Sequence, residues 1–366
     1  MKILVITDFA TYGGVAKTSE ALQKCLLNDG NVVERYPIYE RSGILSKRVL
    51  SLKRAINYLR VARFDRIILM HFEAIFVGVL CSFFQPKGTF INAIYTDLYG
   101  YYCGVSVFKK ALLRLIFLVI KNDQIVFDSK ESELKAVEKF GFTNTRTIYN
   151  IMVPPVEPRI PSCRGKSGYH FCFGSVSRLH SGKNIDLLIR VFNSFWLDQK
   201  ETRLLIFGDG PELARLKDYA LGYPCSQAVT FEGYLENPEE IYSKFDALVG
   251  FSNMEGFGLV ILEALARKIP VLFSDCSCGP REILKPTSNP RHKTDRYEVC
   301  DGGFLVKLPS NIEAYAPCLQ ESERGLLEVM KLFYDNFDEM KRNDFVDLER
   351  FGADVISREW SDLLRT

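Results

Sequence analysis

The sequence predicts an α/β protein made of two doubly wound parallel-sheet domains. Short apolar, β-branched runs alternate with helical patterns through residues 1–150, a proline-rich stretch interrupts them, and the alternation then restarts. Strands alternating with helices form βαβ units and a parallel sheet. A stretch that can continue neither a helix nor a central strand marks a boundary. At 366 residues the chain is long for one hydrophobic core and comfortable for two.

The opening run Met1-Lys2-Ile3-Leu4-Val5-Ile6 turns polar at Thr7-Asp8, so it reads as a strand over 2–9, too short for a signal peptide. Further strands are expected at 32–38, 66–71, 89–95, 124–127 and 146–149, with helices such as 15–28 and 46–61 between them. Pro154, Pro155, Pro158 and Pro161 then fall within nine residues of Val153. They divide a first domain at 1–152 from a second at 168–345 through a linker at 153–167. In the second domain strands are expected at 169–176, 203–207, 229–232, 247–251, 271–274 and 304–308, with a helix from Asn184. The last segment, 346–366, sets Ile356, Trp360 and Leu363 on one side of a helix that should pack back on the first domain. Each domain is therefore Rossmann-like, and a ligand is expected in a cleft between the carboxyl edges of two facing sheets.

A hydrophobic share of 47% and a charged share of 25% belong to a folded chain rather than a disordered one. A formal net charge of +2 argues against a nucleic-acid partner, whose footprint would be strongly basic. Locally the charge is uneven. Arg41, Lys47, Arg48, Lys53, Arg54, Arg60, Arg63 and Arg66 face a single acid, Asp65. That stretch reads either as a solvated helix face or as a docking surface for anionic lipid or a lipid-linked diphosphate. None of the ten cysteines forms a Cys-x-x-Cys pair or joins His at metal-ligand spacing, and several sit in apolar runs, so a reducing cytoplasm is expected. The apolar stretches 72–84 and 105–120 fall short of roughly 20 residues or are broken by Lys109, Lys110 and Arg114, so neither should span a membrane.

Four turns carry residues suited to chemistry. The first βα turn ends in Gly13-Gly14-Val15, where glycines let the backbone approach a ligand and point helix N–H groups at negative charge. It lacks the Gly-x-Gly-x-x-Gly spacing of a dinucleotide site. The first turn of the second domain, Gly174-Ser175-Val176-Ser177-Arg178-Leu179-His180-Ser181-Gly182-Lys183-Asn184, sets two cations around a small-residue loop that opens a helix. Two cations there can take up the charge of a diphosphate leaving group. Gly208-Asp209-Gly210-Pro211 is a tight turn at the next carboxyl edge. In Asn253-Met254-Glu255-Gly256-Phe257-Gly258-Leu259-Val260-Ile261-Leu262-Glu263-Ala264, Glu255 lies on a loop and Glu263 a little over one turn into a helix. Among Ile261, Leu262 and Leu265 that carboxylate needs a partner, and a ribose diol would supply one.

Glu255 and Glu263 with Gly-Phe-Gly-Leu between them, Ser177-Arg178…Lys183, Gly208-Asp209-Gly210-Pro211 and Gly279-Pro280-Arg281-Glu282-Ile283-Leu284 together resemble a retaining glycosyltransferase of family 4, with the GT-B fold, of the kind that builds bacterial polysaccharide or lipopolysaccharide. The likeness covers nearly the whole chain and is more specific in the second domain. Gly13-Gly14 and the run from Val126-Phe127-Asp128-Ser129 to Ile148-Tyr149-Asn150 fit it as well. The resemblance implies that Ser177, Arg178 and Lys183 hold the donor diphosphate and that Glu263 bonds the ribose hydroxyls. It implies that Glu255 touches the transferred sugar, with the amides of Gly256, Phe257, Gly258 and Leu259 beside it. Gly208, Gly233, Tyr234 and Leu235 would line the donor site towards the base, with Gly14 near the phosphate or acceptor. Glu255, Arg178 and Lys183 are the residues implied to carry catalysis. No metal or other cofactor is implied, because side-chain cations replace a metal, and the nucleotide-sugar is a substrate. Where relatives carry a His in a pattern like His-Thr-Asp-Leu, this chain reads Tyr95-Thr96-Asp97-Leu98. Tyr95, Thr96 and Asp97 thus become candidates for acceptor or sugar hydroxyls, while His71 reads as a core histidine and His180 as a surface residue of the loop.

The expected reaction moves a hexose or N-acetylhexosamine from a UDP-linked donor to a glycan or lipid-linked saccharide, making an α-glycosidic bond. Glu255 is the one evident nucleophile and is assigned to sugar binding, so front-face attack is favoured over a covalent intermediate. The basic stretch 41–66 and the cationic apolar stretch 107–121 predict peripheral attachment to an anionic membrane, at the inner face of the plasma membrane. Rival readings are a GT-B UDP-sugar epimerase, whose own acid and base are not recognisable here, and a non-catalytic subunit, which would have lost Arg178, Lys183, Glu255 and Glu263.

Overall fold

The computed structural model describes residues 1–9, 14–39, 45–86, 88–155, 169–342 and 347–366. Gly13, Arg41 and most of the expected linker lie outside them. The chain divides into two units, Met1–Val153 with Glu349–Thr366, and Pro154–Leu348.

In the first unit the strands are β1 (Lys2–Phe9), β2 (Val32–Tyr39), β3 (Arg66–Met70), β4 (Phe90–Ile94), β5 (Gln124–Phe127) and β6 (Thr145–Thr147). They pair in parallel in the order β2-β1-β3-β4-β5-β6. Ile3, Leu4, Val5 and Ile6 are wholly buried, because helices cover both faces of such a sheet and a central strand then reads as an unbroken apolar run. The helices are α1 (Gly14–Asn28), α2 (Leu45–Val61), α3 (Phe72–Cys81), α4 (Leu98–Gly104), α5 (Val107–Ile120) and α6 (Lys130–Phe140). Residues of α2, α3 and α5 share one apolar cluster with the sheet. The other face packs against α1 and the C-terminal helix Ala353–Arg365, whose Ile356, Trp360, Leu363 and Leu364 are buried there. Ser357 and Ser361 of that helix donate to Asp29 at the end of α1, each at 2.7 Å.

The second unit holds β7 (Phe171–Val176), β8 (Thr202–Phe207), β9 (Val229–Gly233), β10 (Ala247–Gly250), β11 (Val271–Ser274), β12 (Tyr297–Cys300) and β13 (Gly303–Val306). Their order is β12-β13-β11-β10-β7-β8-β9, parallel except for β12 against β13. Helices α7 (Ile185–Asp198), α8 (Leu213–Leu221), α9 (Pro238–Tyr242), α10 (Leu259–Leu265), α11 (Pro280–Leu284), α12 (Arg324–Asp335) and α13 (Phe337–Arg342) follow in chain order, and the C-terminal helix is α14. Arg190 of α7 is wholly buried and tied to Glu323, at the start of α12, by two bonds of 2.8 and 2.6 Å, and to Asp186 at 3.0 Å.

Edge strand β12 and helices α12 and α13 are among the described elements with no counterpart in the expected ones. β12 is a four-residue edge strand, too short for a period of two to stand out. Helices α12 and α13 fill the remainder, and in α12 Leu326, Val329, Met330 and Phe333 are buried at helical spacing.

Candidate functional site

In an open α/β sheet a ligand binds beyond the carboxyl ends of the strands, where the strand order reverses. In the second unit that point lies between β7 and β10, which are neighbours in the sheet although two strands separate them in sequence. The loop after β7 brings Lys183 to it and the loop after β10 brings Glu255. Lys183 Nζ donates to Glu255 Oε1 at 2.6 Å, with both side chains mostly buried. Asn184, in a left-handed conformation at φ 49°, donates from Nδ2 to the Phe251 carbonyl at 2.7 Å and to Asn253 Oδ1 at 2.8 Å. The Asn253 amide in turn donates to the Gly182 carbonyl at 2.9 Å. The cation loop and the carboxylate loop are therefore stitched side by side.

Arg178 is exposed on the same loop. His180 accepts a bond from the Gly182 amide at its own Nδ1. Desolvation of its ring, then Lys183 and Arg178, lower its pKa from the ordinary histidine value, so three basic groups share one field. Ser177 Oγ is buried with no hydrogen-bond partner. A cavity of about 460 Å³ lies behind the loop, lined in part by His180, Asn184, Glu212 and Tyr315. Lys183, Glu255 and Glu263 are not in its lining.

Glycine lets these loops approach each other. Gly208 has φ 127°, and a Cβ on it would fall 1.8 Å from the Ser177 carbonyl oxygen. Gly279 has φ 95°, and a Cβ there would fall 1.7 Å from the Phe257 carbonyl oxygen. The Gly279-Pro280 turn is thereby pressed against the backbone that follows Glu255, and the Glu255 amide donates to Ser277 at 3.3 Å. Arg281 just beyond is buried between Asp275 and Glu298, so it holds the turn rather than facing solvent. Gly258, at φ 94°, begins α10, with Phe257 buried beside it and Gly256 and Leu259 half-buried.

Glu263 has a partner within the protein. It is half-buried, and Tyr242 donates its hydroxyl to Glu263 Oε2 at 2.6 Å, so the partner that the apolar setting demands is supplied by the protein. Burial, then the negative charge of Glu263, raise the Tyr242 phenol well above its ordinary pKa and keep it a donor. Gly233 ends β9 at φ 75° with open space where a side chain would stand; Tyr234 after it is exposed and Leu235 half-buried.

In the first unit the order reverses between β1 and β3. Asp8, near the end of β1, and His71, just after β3, meet there at 3.1 Å between Oδ2 and Nδ1. Asp8 Oδ1 accepts from the Ala74 amide at 3.0 Å. His71 has φ 80° and ψ 175°, a conformation costing about 1–3 kcal/mol outside glycine and found mostly at functional sites. Its ring is partly exposed, so the reading of His71 as a core histidine is corrected. Beside it Tyr39 is hydrogen-bonded to Glu73, whose Oε2 is buried without a partner.

The three acceptor candidates fare differently. Tyr95 is buried in the core, where desolvation raises its phenol pKa. Asp97 is also buried and caps α4, accepting from the Gly100 amide at 3.0 Å, with Lys135 3.6 Å away. A cap satisfies an otherwise unpaired helix amide, which binds this carboxylate to a structural task. Thr96 stays half-buried. Gly14 opens α1 and is exposed. The signal that would have found the Asp8–His71 pair is a polar residue closing each of two apolar strands, but their adjacency depends on strand order.

Residues 164–316 match the model of the family described as glycosyl transferases group 1. An uncharacterised glycosyltransferase of Methanocaldococcus jannaschii is 29% identical over 200 residues, which are 53% of this chain and 49% of that protein, so the match spans about half its length. The amylovoran biosynthesis glycosyltransferase AmsD of Erwinia amylovora is 22% identical over 99% of each chain. The crystal structure of Anabaena HepE in complex with UDP and glucose is similar over 100% of each chain, with a TM-score of 0.73 at 18% identity. The chain has the GT-B fold, and the family match with these relatives supports a glycosyltransferase.

Proposed function

We propose that this protein transfers a hexosyl or N-acetylhexosaminyl group from a UDP-sugar to a glycan or lipid-linked saccharide, with retention, as in family 4. The observation that carries the reading is the Lys183–Glu255 pair at the β7/β10 switch point. An ammonium has three donors, so Lys183 can hold Glu255 and a phosphate oxygen together. Arg178 adds a second cation, and the two take up the charge that develops as the sugar–phosphate bond breaks, without a metal. Glu255 accepts hydroxyls of the transferred sugar and Glu263 those of the ribose, while the base lies along Gly233 and Tyr234. The acceptor oxygen forms its bond to the anomeric carbon on the face the phosphate leaves, and its proton passes to that phosphate. In the first unit Asp8 keeps the proton on His71 Nδ1, which leaves Nε2 to accept a bond from a substrate hydroxyl.

A donor screen by thermal shift tests this, since a ligand bound only by the folded chain raises its melting point with concentration. UDP-sugars should protect the wild type, and Lys183→Ala or Glu263→Ala should abolish protection. If both variants are protected like the wild type, the donor assignment is wrong. Asp8→Asn should keep donor protection and lower turnover by up to about 100-fold, since a misplaced group in a site can cost that much.

A further inference from the structure

The outer surface of the first unit carries an apolar stripe that the sugar-transfer reading does not use. Helix α5 buries Leu113, Ile116, Phe117 and Ile120 against the sheet. Its opposite side presents Phe108, Leu112, Leu115 and Val119, at spacings of four, three and four residues, which align along one face of a helix. Phe108 is 90% exposed, Leu115 62% and Leu118 68%. The neighbouring helix α3 ends in a turn whose Phe83 is 93% exposed. So much contiguous apolar surface on a helix marks an interaction site rather than scattered exposure.

Charge identifies the partner. Helices α2 and α5 contain five and three Lys or Arg residues, and α2, α3 and α5 together contain one acid, Glu73. On α5 itself Lys110 and Arg114 lie over the ring of Tyr102, and Arg60 of α2 lies over the ring of Phe84. A second copy of so basic a face would repel the first across a twofold contact. An anionic bilayer complements both features, with apolar side chains entering the acyl boundary and cations resting among headgroup phosphates. At 14 residues α5 is about 21 Å long. That is short of the ~30 Å hydrocarbon core, so it lies along the surface.

We infer that the α5 face docks the first unit on the surface of an anionic lipid bilayer. The inference stands apart from the donor assignment, because vesicle binding is read without any nucleotide-sugar. Flotation with phosphatidylcholine vesicles, with and without phosphatidylglycerol, tests it at low and high salt. The wild type should partition at least about tenfold more onto the anionic vesicles at low salt, and less at high salt. Phe108→Asp with Leu115→Asp should remove that partitioning while circular dichroism stays unchanged. Should that variant fail to fold, Lys110→Glu with Arg114→Glu keeps the stripe and should lose the anionic preference. No partitioning by the wild type, or equal partitioning by a folded variant, overturns the inference. A dimer in solution that the aspartate variant splits overturns it too, since the face would then belong to a second copy.

Discussion

Lys183 and Glu255 are 72 positions apart and 2.6 Å from each other, and the chemistry proposed for the second unit turns on that contact. Each was legible as a residue type on a loop opening a helix; their partnership was not. Glu263 shows the converse: its need for a partner was legible, but Tyr242, 21 positions upstream, meets it. His180 supplies a test by pH. Desolvation, then Lys183 and Arg178, depress its pKa in the folded state, while the unfolded chain titrates near 6.5. Between those values the unfolded chain binds more protons, so stability falls as pH drops from about 6.5 through the folded value. His180→Gln should flatten that part of the profile, measured as urea midpoints from pH 7.5 to 5; an unchanged slope would assign it to other groups.

At the scale of elements, the loops after β7, β8, β10 and β11 are held by close backbone approach at Gly208 and Gly279 as well as by the side chains of Asn184 and Arg281. Gly279→Ala puts a methyl on the Phe257 carbonyl and forces a left-handed conformation on alanine, a cost of about 1–3 kcal/mol. The strain falls on the segment from Glu255 to Gly258. Donor affinity should therefore weaken about tenfold or more in calorimetric titration, with secondary structure unchanged. The turn could be read from Gly-Pro, but the reason for glycine needs the carbonyl it faces. Most strands were legible to within one or two residues because both-sided burial makes them continuous apolar runs. Edge strand β12 escaped because four residues, one of them Glu298, carry too little pattern.

For the whole molecule, each unit keeps an apolar core of its own, and the chain returns to the first unit to complete one. Trp360 is 1% exposed in the cluster that holds Ile3, Val5 and Ile68. Trp360→Ala should cost about 3–5 kcal/mol, as for other large core truncations. Hydrogen exchange should show the loss in β1, β3 and β4, with protection in β7 and β10 retained; a uniform loss would mean that the units unfold as one. That Ile356, Trp360 and Leu363 form an apolar helix side that packs back on the first domain was expected from spacing, while the sheet face they cover, with Ile3, Val5 and Ile68, needed the structure.

By itself the sequence determined the α/β alternation and the residue types of the candidate donor loops, because strand and helix periodicity and turn chemistry are local properties. Only the tertiary structure decided which of those residues meet. It paired Asp8 with His71 across 63 positions and Lys183 with Glu255 across 72, turned Asp97 into a helix cap and buried Tyr95. The two pairings follow from strand order, which sets two distant strands side by side at a switch point, and no local pattern along the chain encodes that order.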